Sequence, residues 1–146
     1  MRALTRRRLA APVMTAVLFA FAAGCGDAAA RTTGAGNSGL ATRTAKSGPV
    51  NVSVTPITID GTGARFAVEL NNHEVDLKGD YATRSTLTVG RTAWSNPRWN
   101  GDGPGGHHRS GTLTFSAGGQ AEGAVQLRLV GLPSPVTVHW NLQAVK

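Results

Sequence analysis

The chain has 146 residues, enough for one ordinary domain, and a formal net charge of +7. That charge is concentrated near the start: Arg2, Arg6, Arg7 and Arg8 lie within residues 1–24 without an acid, whereas from Val50 onward eight Lys/Arg face seven Asp/Glu, leaving +1. The balance argues against a nucleic-acid partner, which needs a basic face on the domain itself. The single cysteine, Cys25, excludes an intramolecular disulfide, so the fold must rest on an apolar core.

Residues 2–8 form a positive region, and Leu9–Phe21 is an Ala-rich apolar run too short to span a bilayer comfortably. Together they predict a signal peptide over 1–24. The next residues, Ala22-Ala23-Gly24-Cys25, resemble the lipobox of bacterial lipoproteins, with Ala22 where the box usually has Leu. The resemblance implies that Cys25 is lipidated and that the chain is held on the outer face of the cell membrane. Cleavage near Ala28-Ala29-Ala30 is the alternative, and it would give a secreted protein. Thr5-Arg6-Arg7-Arg8-Leu9 also resembles a twin-arginine export signal, a route for proteins already folded, with the general secretory route as the other choice.

Residues 25–49 are rich in Gly, Ala, Thr and Ser, with Leu40 as the only large apolar residue. Such a segment buries too little to offset its ordering entropy, which predicts a flexible tether. Its root-mean-square reach is roughly 25–30 Å, enough to hold a domain off a lipid surface.

From Val50 the apolar period becomes two. Val50, Val52 and Val54 alternate with polar residues until Pro56, and Phe66, Val68 and Leu70 alternate again. His73, Val75 and Leu77 share one parity, as do Leu87 and Val89, Leu113 and Phe115, and Val125, Leu127 and Leu129. Val136, Val138, Trp140 and Leu142 complete the series. About seven strands separated by turn residues such as Asp60-Gly61, Lys78-Gly79-Asp80 and Gly118-Gly119 predict an all-β domain over 50–146. The expected architecture is an antiparallel β-sandwich of immunoglobulin-like type without its disulfide, and an eight-stranded barrel is the alternative.

The chemistry-bearing residues cluster around the glycine-rich run 101–106 and the His107-His108-Arg109 that follows it. His73, His107 and His108 could together hold Cu(II) or Zn(II), since imidazole suits both metals. The alternative makes His73 and His107 core histidines by parity, while His139 has solvent parity. Arg109 has the parity of Leu113, so its charge must be paired, with Glu74, Asp76 or Asp102 as candidates. Trp94 and Trp99 flank Ser95-Asn96-Pro97-Arg98, read as a turn; with Arg109 they offer a binding surface if exposed, or plug the end of the sandwich if buried. No nucleophile elbow, phosphate loop or His-Glu-x-x-His pair occurs, which argues against an enzyme.

Taken together, Asn72-His73-Glu74-Val75-Asp76-Leu77, Trp99, the 105–115 run Gly-Gly-His-His-Arg-Ser-Gly-Thr-Leu-Thr-Phe and Trp140-Asn141-Leu142 resemble a group of small exported bacterial domains. The resemblance covers the domain and not the signal or tether, and Asn72 stands where a small hydroxyl residue is expected. It implies a shared fold and a shared histidine site, with no activity attached. The reading is therefore a lipid-anchored envelope protein carrying one β-sandwich binding module, for a metal ion or for an envelope protein partner.

Overall fold

Strict alternation in the sequence becomes strand after strand in the structure, a computed structural model that describes residues 39–143. Eight strands follow in chain order: β1 (Arg43–Ser47), β2 (Val50–Asp60), β3 (Gly63–Asn71), β4 (Thr86–Val89), β5 (Thr92–Gly101), β6 (His108–Ser116), β7 (Gly123–Leu129) and β8 (Val136–Leu142). All pairings are antiparallel, in the spatial order β1-β2-β3-β6-β5-β4-β7-β8. The domain is an all-β, sandwich-like fold. Strand β5 belongs to both layers, pairing with β4 through its first half and with β6 through its second.

The two outer strands, β1 and β8, meet and almost close the sheet into a barrel. Arg43 Nε donates to the His139 carbonyl at 3.0 Å, and Trp140 Nε1 donates to the Ala41 carbonyl at 2.7 Å. At the other end of β1, the Ser47 hydroxyl donates to the Ser134 carbonyl and accepts from the Ser134 amide. Side chains, and not a backbone ladder, bridge these two edge strands.

The core lies between the layers. Val50, Val52, Val54, Phe66, Val68, Leu70, Leu113 and Phe115 come from one side. Leu87, Val89, Val125, Leu127, Leu129, Val136, Val138 and Trp140 come from the other. Phe66 links the two, stacked on Trp140 with ring centroids 5.5 Å apart and edge-on to Phe115 at 6.4 Å.

Four features differ from the sequence reading. Strand β1 lies inside the segment expected as tether, so the folded unit begins before Val50. Its residues are too polar to show alternation; pairing with β2 and the buried Ser47 hold it in place. Strand β2 continues through Pro56, which sits at a bulge beyond the last residue paired with β1, where strand proline is tolerated. The run containing His73, Val75 and Leu77 is a loop and not a strand. Finally, Ser95-Asn96-Pro97-Arg98 is a bulge within β5 and not a turn, with Asn96 at a φ of +54°.

That bulge has consequences for the site. Trp94 and Trp99 are five residues apart, so a regular strand would send them to opposite faces. The extra residue restores the parity. Trp94 then pairs with Leu87 and Trp99 with Leu113, both inward positions.

Candidate functional site

One end of the sandwich carries the 72–85, 102–107 and 130–135 loops. Asn72, 2% exposed, anchors the first of these. Its backbone amide and its Nδ2 both donate to the His107 carbonyl, at 2.9 and 3.1 Å. Its Oδ1 accepts the Glu74 and Val75 amides at 2.9 and 2.6 Å. This side-chain turn offers the backbone a substitute for ladder bonds, which ends β3 despite the continuing apolar alternation. The Leu77 amide then donates to the Gly106 carbonyl, and the Gly105 amide to the Leu77 carbonyl, so the two loops are zipped together. Gly79 is required here, because a Cβ at that position would lie 2.0 Å from the Gly131 carbonyl oxygen.

Arg109 rises between these loops as the second residue of β6 and is 5% exposed. Its expected ion pair with Glu74, Asp76 or Asp102 does not form; the ion pair found among the described residues joins Lys78 to Asp76 at 2.9 Å. Instead Nη1 donates to the Leu77 and Gly79 carbonyls at 2.9 and 2.8 Å, and Nη2 to the Asp102 carbonyl at 3.0 Å. The guanidinium carbon stands 4.4 Å from the centre of the Tyr81 ring and 5.5 Å from that of Trp99. Backbone carbonyls and aromatic faces have replaced the carboxylate because the loops curl over the strand end and turn their main chain inward. Tyr81 and Trp99 pack edge to face at 5.4 Å, and the Trp99 ring lies so close over Gly111 that a Cβ there would sit 2.5 Å from it.

Beside this cluster opens a cavity of about 250 Å³, lined by Lys78, Asp80, Tyr81, Trp99, Pro104 and Arg109 among others. Within the side chains that line it, Arg109 Nε and the Tyr81 hydroxyl are closed to solvent and have no hydrogen-bond partner of good geometry among the described residues. Burial pushes the Tyr81 phenol above its ordinary value, against the opposing pull of the Arg109 charge. The Ser110 amide and hydroxyl hold the Asp102 carboxyl below its ordinary value, and the Arg109 charge adds to that.

The histidines are all exposed, so His73 and His107 are not the core residues that parity allowed. His107 Nδ1 lies 3.0 Å from the Val75 carbonyl, and His108 Nδ1 lies 2.7 Å from Asn71 Oδ1. Both partners accept hydrogen bonds, so each neutral ring carries its proton on Nδ1 and keeps the Nε2 lone pair free. The His73 and His108 rings face each other edge to face, with centroids 5.8 Å apart. His107 is turned toward Val75 instead, and among the described residues no group of three His, Cys, Asp or Glu is gathered as a metal site. His139 is exposed on β8, as its parity predicts.

Compared with known proteins, the chain matches no family model, no curated protein and no solved structure.

Of the expected binding surface, Trp94 is withdrawn, being 4% exposed in the core. Trp99 is half-buried and, with Arg109, lines the cavity. Cys25 and the expected signal peptide lie outside the described residues. Sequence reasoning missed Tyr81, and it gave Asn71 and Asn72 no part in the site although that pair breaks the strand alternation. Tyr81 is the chain's only tyrosine and follows a Gly-Asp turn signal, which marks a loop but says nothing of a cation above its ring. Asn72 ends a strand pattern at an Asn-Asn pair, a usable turn signal that the continuing parity of His73, Val75 and Leu77 obscured.

Proposed function

We propose that this protein is an exported binding module of the cell envelope, held to the membrane through lipidated Cys25, whose loop end takes a Cu(II) or Zn(II) ion between His73 and His108. The observation that carries the metal reading is the pair of facing imidazoles 5.8 Å apart, one from the 72–85 loop and one from the start of β6. Nitrogen–metal bonds of about 2.0–2.1 Å let a single ion bridge two rings at such a spacing. The hydrogen bond from His108 Nδ1 to Asn71 supports it further, because ligating histidines ordinarily donate their second ring N–H to an acceptor that fixes the tautomer. Water completes the coordination, and the module binds without catalysing.

Calorimetric titration of the tag-free full chain with Cu(II) and Zn(II) tests this reading. Copper is expected to bind more tightly than zinc, following the general affinity order. His73→Ala and His108→Ala should each weaken binding strongly, and His107→Ala only slightly. Affinity should fall on acidification, since the ligands must be deprotonated. Binding weaker than about 10 μM, about −7 kcal/mol, for both metals would end the metal reading. It would leave a module whose loop end docks an envelope protein.

A further inference from the structure

Arg109 presents a physical anomaly. A guanidinium that is 5% exposed faces no carboxylate within ion-pair distance among the described residues, although a buried charge is costly unless paired. Three of its five N–H groups go to the Leu77, Gly79 and Asp102 carbonyls. Its Nε has no hydrogen-bond partner among the described residues, and neither has the hydroxyl of Tyr81, whose ring lies under the guanidinium. Both residues line the cavity of about 250 Å³ whose other walls include the Trp99 ring and Pro104. Buried polar groups in native proteins are overwhelmingly satisfied, so an orphaned donor beside a cavity calls for an explanation.

We propose that this cavity is a binding site for a small organic carboxylate with a planar apolar body. The carboxylate oxygens accept from the second N–H of Arg109 Nη2, which none of the three carbonyls takes, and, as the side chains part around the ligand, from the buried Nε and the Tyr81 hydroxyl. Charge-assisted bonds of this kind are the strong ones, and a planar guanidinium matches a planar carboxylate. The apolar body lies against Trp99 and Pro104. The cavity is at or below the small end of ordinary ligand pockets, roughly 300–1,000 Å³, which limits the ligand to a single ring or a short chain. None of the imidazoles is used, so the site goes beyond the metal reading and stands or falls separately from it.

The other charges around the cavity are already engaged. Lys78 is paired with Asp76. The Asp80 carboxylate accepts the Ala82 and Thr83 amides at 3.0 and 3.1 Å, and the Asp102 carboxylate accepts the Ser110 amide at 2.7 Å. All three carboxylates are on exposed residues, where salt and solvent screen them, whereas the ligand would meet the guanidinium directly. Asp80 nevertheless lines the cavity, and its negative charge works against the ligand.

The test is calorimetric titration of the full chain, in low salt, with benzoate, with benzamide as its neutral isostere, and with inorganic phosphate. Benzoate is expected to bind at least tenfold more tightly than benzamide, about 1.4 kcal/mol. Phosphate should bind more weakly still, for lack of an apolar body. Asp80→Asn keeps the Oδ1 acceptor for its two amides, replaces the Oδ2 that accepts from the Thr83 hydroxyl with an amide that can donate to it, and removes the charge, so it should tighten benzoate binding several-fold, with a thermal melt to confirm folding. Arg109→Met should abolish binding, read alongside a thermal melt that confirms folding. N-acetyl-glycyl-phenylalanine carries the same group on a peptide end; tighter binding than benzoate would assign the site to chain termini, and weaker binding to free small acids. Equal binding of benzoate and benzamide, no binding of either carboxylate, or no gain in Asp80→Asn would overturn the proposal and leave Arg109 as a clamp between loops.

Discussion

Asn72→Ala removes one side chain that organises the whole loop end. The side chain is 2% exposed and makes three hydrogen bonds: Nδ2 to the His107 carbonyl, and Oδ1 from the Glu74 and Val75 amides. The His107 carbonyl keeps the Asn72 backbone amide as a donor, so losing Nδ2 leaves no orphan. The Glu74 amide belongs to an exposed residue and can turn to water, but Val75 is half-buried and its amide loses a bond of 2.6 Å. At about 1 kcal/mol net per bond, with more for a donor left unsatisfied, the substitution should cost about 2–3 kcal/mol. Urea unfolding of the full chain, followed by tryptophan fluorescence and far-ultraviolet circular dichroism, should show a lower midpoint at an unchanged slope. Asn72→Ser retains an acceptor that can reach the following amides and loses only the Nδ2 donor, so it should cost about 1 kcal/mol. His73 is the next residue, so the alanine variant should also weaken copper binding. A cost below about 0.5 kcal/mol, the range of ordinary surface substitutions, would refute the claim that Asn72 pins the loop.

The carboxyls of Asp60, Asp76, Asp80 and Asp102 all lie below their ordinary value, mainly through hydrogen bonds from Thr62, Lys78, Thr83 and Ser110 respectively. Their stabilisation is present above 3.8 and is lost as pH falls through the lowered folded values, so the melting midpoint should drop on strong acidification. Tyr81 has the opposite sign: its raised value leaves stability intact below 10.0, to be lost as pH rises from there through the folded value, and Tyr81→Phe should flatten that alkaline decline. A melting series identical in the two proteins at alkaline pH would show that Tyr81 is not the group responsible. Cys25→Ala should release the protein from the membrane fraction, and equal partitioning of the two forms would reject the lipid anchor.

Much of the fold was legible in the chain because burial on one face of a strand imposes a period of two, and that period survives in the residues themselves. Val50 to Val54, Phe66 to Leu70, Leu113 with Phe115, Val125 to Leu129 and Val136 to Trp140 are inward where the alternation puts them. The inward parity of Arg109 was legible in the same way. Its partners were not, since a charge at a core position demands compensation without saying from where, and the carbonyls of Leu77, Gly79 and Asp102 exist as acceptors only once two loops have folded over the strand end. Strand β1 escaped because an edge strand whose backbone does the bonding needs no apolar pattern. The pairing of Trp99 with the inner face depended on one extra residue in β5, and a bulge is a property of register between strands. The three histidines looked equivalent in one dimension. Which two of them meet was decided by Asn72 and Asn71, whose short polar side chains stop a strand and orient a ring through contacts that sequence distance does not reveal.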